Sequence, residues 1–377
     1  MNIVIRADAN EHIGQGHVMR CLSLADSLKE AGHVCVFACA DKVGVSIVEK
    51  RGYECKFLNS DHSMMMWDVE STKALVRKTE AELIIIDSYH VSNEYFNAFK
   101  GLCKVVYFDD VYSFAYDVDC LINYNVYASK DKYDALYAKD GVKAPEFILG
   151  PSFAPLRKEF QREISGAEGS NGKDLFGKEV SRELSDNTSL SDGVLSDNNL
   201  EKTVMISVGG ADPLHLALCL VKKIKEDEEL VKFRFNFVLG RMIKDILEIM
   251  NIASETSNIK TFVDIKDMKG MIESSDLVVS AAGSTQYEIC ACAKPCICFS
   301  MADNQVEGAK KFDELGAFKY AGDVRNNESF CDDLINTIKT LVTNSELLAE
   351  MSRKAGEVTD GMGAKRTVNK LEKFLGR

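Results

Sequence analysis

The chain has 377 residues, 46% of them hydrophobic and 28% charged, the balance of an ordinary folded protein and not of a disordered or fibrous one. Its 46 Lys and Arg stand against 58 Asp and Glu, a formal net charge of −12. This argues against nucleic-acid binding and against docking on anionic lipid, because phosphates are neutralised by Lys and Arg. A prior of roughly 150 residues per domain gives two compact units with chain to spare. No apolar run reaches the ~18 residues that span a bilayer. The opening residues MNIVIRAD read as a buried strand, without the basic and long apolar regions of a secretory signal. Twelve cysteines lie mostly inside apolar runs, Cys35, Cys39, Cys103, Cys120 and Cys219 among them, and read as reduced core residues of a cytoplasmic protein.

In chain order, short β-branched runs at 3–7, 34–38, 54–58, 83–86, 104–108 and 120–122 read as strands. Helical patterns lie between them at 17–31, 43–50, 69–79 and 92–100. In the first of these Val18, Cys21, Leu22, Ala25 and Leu28 recur at helical spacing and Gly32 supplies the stop. From 163 to about 199 Ser, Gly, Asp and Asn crowd the chain without an apolar face, and the stretch reads as a flexible polar insert. Strands resume at 203–208, 233–239, 259–263, 277–280 and 296–300, with helices at 214–225, 242–250, 265–273 and 285–293. Helices then dominate to the C-terminus.

Strand–helix alternation predicts an α/β fold of two Rossmann-like, doubly wound domains, at 1–162 and 203–377, facing each other across a cleft, with 163–202 as the insert. Ligands in such folds sit at the C-terminal ends of the parallel strands, so the site is expected in the cleft.

Five strand ends carry candidate chemistry. The first loop, DANEHIGQGH, resembles a dinucleotide fingerprint but has Met19 where the third glycine belongs. Gly14 and Gly16 allow a tight turn and a close ligand approach, and His17 follows at a helix N-terminus. The helix dipole there disfavours the imidazolium, so the ring is suited to accept a proton. His12, in the same loop, is set behind His17. After the run IIID, Asp87 either caps the next turn or orients a substrate hydroxyl, and Tyr89 is placed to bond a sugar. Asp109 and Asp110 lack a His or Glu at ligand spacing and read as structural or sugar-contacting carboxylates, not as a Mg²⁺ site.

In the second half, SVGGADP offers the bare N–H groups of Gly209 and Gly210 to a diphosphate, and no Gly-Lys-Ser/Thr follows to make it a Walker loop. In SAAGSTQYE, small residues admit a ligand and Glu288 either accepts ribose hydroxyls or faces solvent. Cys290, Cys292, Cys296 and Cys298 lack the C-x2-C pairs of a zinc ribbon, so packing is expected and metal is not.

Taken together, IRADANEHIGQGHVMRCLSLA, IIIDSYH, YFDD, LINYN, LGPSFAPLR, SVGGADP and SAAGSTQYEICACAKPCICFSMADNQ resemble the UDP-sugar hydrolases of pseudaminic acid biosynthesis. Those enzymes remove UDP from UDP-2,4-diacetamido-2,4,6-trideoxy-β-L-altropyranose. The match runs in order through both halves and is interrupted only by the insert. The second-half block also looks like the nucleotide-binding half of lipid-intermediate N-acetylglucosaminyltransferases, and spore-coat polysaccharide sequences are similar too.

The resemblance implies a GT-B fold, His17 as catalytic base, and Tyr89 and Asn304 as active-site contacts. It also implies UDP binding by Gly209, Gly210, Ser284 and Glu288, while the loop residues Gly14, Gly16 and Asp87 are read from their positions as substrate contacts. The chemistry it implies is inverting hydrolysis of a UDP-sugar without metal or cofactor. The partner would be that small molecule, with no nucleic acid and no stable membrane insertion. A GT-B glycosyltransferase and a non-catalytic nucleotide-sugar-binding protein are the alternatives. The sequence carries no signal for an oligomeric state.

Overall fold

The computed structural model describes residues 1–10, 13–162 and 202–377. His12 and residues 163–201 of the expected insert lie outside them. The first domain runs β1 (Asn2–Ala7), α1 (Gly16–Glu30), β2 (Val34–Cys39), α2 (Lys42–Lys50), β3 (Glu54–Phe57), α3 (Val69–Lys78), β4 (Leu83–Asp87), α4 (Asn93–Asn97), β5 (Lys104–Phe108), β6 (Cys120–Asn123), α5 (Lys130–Asp140) and β7 (Glu146–Leu149). The second runs β8 (Thr203–Ser207), α6 (Leu216–Glu226), β9 (Arg234–Leu239), α7 (Ile246–Ser254), β10 (Ile259–Val263), α8 (Met268–Glu273), β11 (Leu277–Ala281), α9 (Thr285–Ala291), β12 (Cys296–Ser300), α10 (Asp303–Glu314) and β13 (Phe318–Asp323). Three helices follow, α11 (Phe330–Val342), α12 (Ser345–Val358) and α13 (Gly363–Phe374). None of the described helices is long and apolar enough to cross a membrane.

The two sheets have orders β3-β2-β1-β4-β5-β6-β7 and β10-β9-β8-β11-β12-β13, and their strand pairs are parallel. These are the two doubly wound sheets expected. In each, chain order reverses beside the first strand, between β1 and β4 and between β8 and β11, and a crevice opens at such a reversal. Register fixes what borders it. Ala7 pairs with Asp87, so the loop leaving β1 and the residues after β4 emerge together. Ser207 pairs with Ser280, which does the same for the loops after β8 and β11. The inner strands are mostly apolar because helices cover both faces; β4, LIIID, is buried throughout, and its one polar residue, Asp87, is the last.

Three elements have no counterpart in the strands and helices read from the sequence. In β7 only Ile148 is buried, in α5 only Tyr133 and Tyr137, and in the edge strand β13 only Phe318. The helices expected at 242–250 and 265–273 start later, at Ile246 and Met268.

Cys290, Cys296 and Cys298 are buried, and burial pushes their thiols up, as core packing requires. Cys219 departs from the reduced reading. It forms a disulfide with Cys331, 112 residues away, because α6 and α11 lie side by side.

The last helix returns to the first domain. There α13 packs on α1, His33 Nε2 meets Glu372 Oε1 at 3.0 Å, and Arg366 Nη1 donates to Ser152 O at 3.1 Å. Gly363 makes this docking possible, since a Cβ there would lie 2.2 Å from Ala154 O. Arg162 ties the other side, donating to Cys290 O at 2.7 Å and to Gly356 O at 3.1 Å. One buried cluster extends from Ile5 and Leu24 in the first domain to Ile289 and Cys298 in the second, so the halves share a core.

Candidate functional site

A cavity of about 190 Å³ lies between the domains, at the C-terminal ends of β1, β4, β5 and β11. Its first-domain wall includes Gly16, His17, Arg20, Tyr89 and Asp110, and its second-domain wall includes Gly283, Ser284 and Asn304.

The loop after β1 delivers His17. Asn10 and Gly14 exchange backbone hydrogen bonds at 3.2 and 2.9 Å, and Gly14 takes a φ of +71°, which glycine adopts without strain. Beyond Gly14, α1 starts at Gly16, and its second residue, His17, lines the cleft.

The His17 ring is buried and meets Asp87 Oδ1 through Nδ1 at 2.5 Å. Arg20, one turn further along α1, grips the same carboxylate twice: Nε to Oδ2 and Nη2 to Oδ1, both at 2.6 Å. Burial opposes the charge on Asp87, but Arg20 and His17 outweigh it and hold the carboxyl well below the usual carboxylate range. An ionised Asp87 has no proton to give, so Nδ1 carries the hydrogen of the contact. Nε2 is left as the ring's lone-pair nitrogen, the one that can take a proton. The helix-terminus argument for His17 lacked this partner, which fixes the tautomer directly.

Arg20 also reaches Asp110 Oδ2 at 2.8 Å and the Tyr124 hydroxyl at 3.1 Å. Two carboxylates thus face one guanidinium, and the cluster carries one formal negative charge in excess. An imidazolium at His17 cancels it. Asp110 further accepts from Tyr89 Oη at 3.0 Å and from Asn125 Nδ2 at 2.7 Å. The rings of Tyr89 and His17 meet edge-on, 4.6 Å between centroids, and Asn304 Nδ2 approaches Tyr89 Oη from the second domain at 3.4 Å. His17, Tyr89 and Asn304 are therefore brought together, with Asp87 behind them.

The remaining expected residues divide. Ser284 lines both this cavity and a smaller pocket of about 40 Å³ beside it. Glu288 lines the smaller pocket, paired with Arg157 Nη2 at 3.0 Å. Gly209 and Gly210 are exposed at the end of β8 and do not line either space. Gly209 has a φ of +96°, and Gly210 packs against Gly240, where a Cβ would lie 2.3 Å from Gly210 O. Asp212, next in that loop, accepts from the N–H groups of Leu216 and Ala217 at 3.0 and 2.8 Å and so starts α6.

Sequence reasoning passed over Arg20, Tyr124, Asn125 and Arg157. For Arg20 a signal existed: it lies three residues after His17 on one helix face.

Comparison with known proteins agrees with this architecture. Residues 203–369 match the glycosyltransferase family 28 C-terminal domain. An uncharacterized protein of Methanocaldococcus jannaschii is 23% identical over 76% of this chain, and the match spans about half of that longer protein, 53%. The UDP-2,4-diacetamido-2,4,6-trideoxy-beta-L-altropyranose hydrolase of Campylobacter jejuni is 24% identical over 75% of this chain and 85% of its own length. The spore coat polysaccharide biosynthesis protein SpsG of Bacillus subtilis is 22% identical over 96% and 95%. Among solved structures, MurG of Acinetobacter baumannii superimposes with a TM-score of 0.63 at 14% identity, over 99% of this chain and 100% of that one. The protein is thus a two-domain chain of GT-B fold whose second half matches the family 28 C-terminal domain.

Proposed function

We propose that this protein hydrolyses a UDP-linked diacetamido-trideoxyhexose, UDP-2,4-diacetamido-2,4,6-trideoxy-β-L-altropyranose, to the free sugar and UDP. The observation that carries the reading is the His17–Asp87 pair facing a cavity whose opposite wall belongs to the second domain. Water attacks the anomeric carbon as its proton passes to His17 Nε2. The bond from that carbon to the phosphate oxygen breaks, UDP leaves with the electron pair, and the configuration inverts. UDP is a competent leaving group once its charge is stabilised, so one base and one anion site suffice. In this reading Tyr89 and Asn304 contact the sugar, and Gly14 and Gly16 shape the catalytic loop. Ser284 and Glu288 hold the nucleoside from the second domain, and the exposed Gly209–Gly210 loop at the end of β8 is read as the diphosphate contact.

Purified protein incubated with this UDP-sugar and no acceptor is expected to release UDP and free sugar in equal amounts. The family 28 match favours a second reading, transfer of the sugar to an acceptor. UDP release that begins only when an acceptor is added would establish that reading. Binding without turnover under either condition would leave a nucleotide-sugar-binding protein.

Replacing Glu288 by alanine is expected to weaken UDP binding by roughly 1.5–3 kcal/mol, the range for a hydrogen bond to a charged group. Calorimetric titration with UDP checks this, and an unchanged dissociation constant removes Glu288 from the nucleotide site.

A further inference from the structure

The segment leaving β7 runs from the first domain along α9 of the second and grips it at two points. Near the C-terminal end Arg162 Nη2 donates to Cys290 O at 2.7 Å. At the middle of the helix Arg157 donates to Glu288 Oε1 twice, from Nη2 at 3.0 Å and from Nε at 3.2 Å. The Arg157 guanidinium is itself held in place. Its Nη1 pairs with Glu159 at 2.8 Å, and its plane lies over the Phe160 ring, 5.0 Å from the centroid. Both Arg157 bonds go to one carboxylate oxygen; Glu288 Oε2 makes no hydrogen bond to a described residue. Arg157 and Glu288 line the smaller pocket with Arg20, Tyr124, Ser284 and Tyr287, and those last four line the main cavity as well.

We propose that Arg157 is a positioning residue for nucleoside recognition: by holding Oε1 of Glu288 it presents Oε2 to the hydroxyls of a ribose. The inference rests on the reading of Glu288 as the ribose acceptor. A planar fork bonded on three sides fixes a carboxylate more firmly than the mobile ammonium of a lysine does. Burial leaves the Glu288 carboxyl raised and Arg157 offsets part of that rise, so the same guanidinium also favours the charged acceptor. Because Arg157 belongs to the first-domain side, recognition of the nucleoside by the second domain depends on the two halves being docked.

The test compares UDP with 2′-deoxy-UDP by calorimetric titration for the native protein, Arg157→Gln, Glu288→Gln and the double variant. The native protein is expected to prefer UDP by about tenfold or more. Glu288→Gln should erase the preference, Arg157→Gln should reduce it to about twofold, and the double variant should behave as Glu288→Gln alone. A clamp that only docks the domains would weaken both ligands equally and keep their ratio, so an Arg157→Gln protein with the native ratio overturns the proposal. Absence of the preference in the native protein would instead remove Glu288 as the ribose acceptor and the proposal with it. Thermal melts of the unliganded variants report folding. Arg157→Lys keeps the charge without the fork and supplies the same ratio if Arg157→Gln does not fold: a reduced preference supports the proposal, and the native ratio overturns it.

Discussion

His17→Ala is expected to lower kcat by about 10²–10⁴-fold, the span associated with loss of a general base. The dissociation constant for UDP should barely move, since the residues read as nucleotide-binding come from the other domain. His17→Asn should be nearly as inactive. Its amide can hydrogen-bond the attacking water and can still meet Asp87, but it cannot accept the proton. The pair of variants therefore separates proton transfer from water placement: a pure positioning role would let His17→Asn recover most of the rate lost in His17→Ala. Acceptor-free UDP release under saturating substrate measures both. A His17→Ala protein that releases UDP at close to the native rate would leave the fold intact and remove the proposed mechanism.

How much of this site was legible in the sequence follows from how far apart its parts lie. The central strands announce themselves as apolar runs, because a parallel strand covered on both faces has no polar side. Edge elements such as β7 and β13 bury little and leave no such trace. The Gly14–Gly16–His17 block was readable because a turn, a close approach and a helix start are all local events. The His17–Asp87 contact was not, although both residues were singled out. They are 70 residues apart, and only the β1–β4 register joins them. Arg20 was readable in principle by helical spacing but looked like one more charge in an amphipathic helix. Its burial follows from two carboxylates at the ends of β4 and β5, which no periodicity encodes. The Arg157–Glu288 pair spans 131 residues and crosses from one domain to the other, so although Glu288 was singled out, its partner Arg157 reads in the sequence as an ordinary charge. For Gly209 and Gly210 local reading found a real strand-end loop, with the left-handed backbone that glycine allows at Gly209. What it could not supply was the distance from that loop to the cavity.

Asp87→Asn tests the other half of the proposed base and should be nearly as damaging. An asparagine of the same shape can still accept from Arg20 or from His17, but it brings an N–H pair that faces donors on both sides. If it turns its oxygen to Arg20, its amide nitrogen confronts Nδ1, and the imidazole is driven to the tautomer with its lone pair on the wrong nitrogen. The stabilisation of an imidazolium at His17 is lost as well. Together these should cost about 10²–10⁴-fold in kcat, while UDP affinity stays near native.

Stability should fall too, because Arg20 keeps its burial but loses one of its two carboxylates. Breaking a buried pair from one side costs roughly 3–5 kcal/mol. The sign with pH follows from the direction of the Asp87 shift. Its carboxyl is depressed in the folded protein, so its contribution is fully present above the unfolded value of about 3.9 and is lost as pH falls towards the folded one. Urea unfolding at pH 7 and at pH 3 should therefore show a gap between native and Asp87→Asn that narrows on acidification. A gap that stays constant would mean that the charge of Asp87 is not what holds Arg20. An Asp87→Asn enzyme within a few fold of the native kcat would mean that His17, if it is the base, is oriented by something other than this carboxylate.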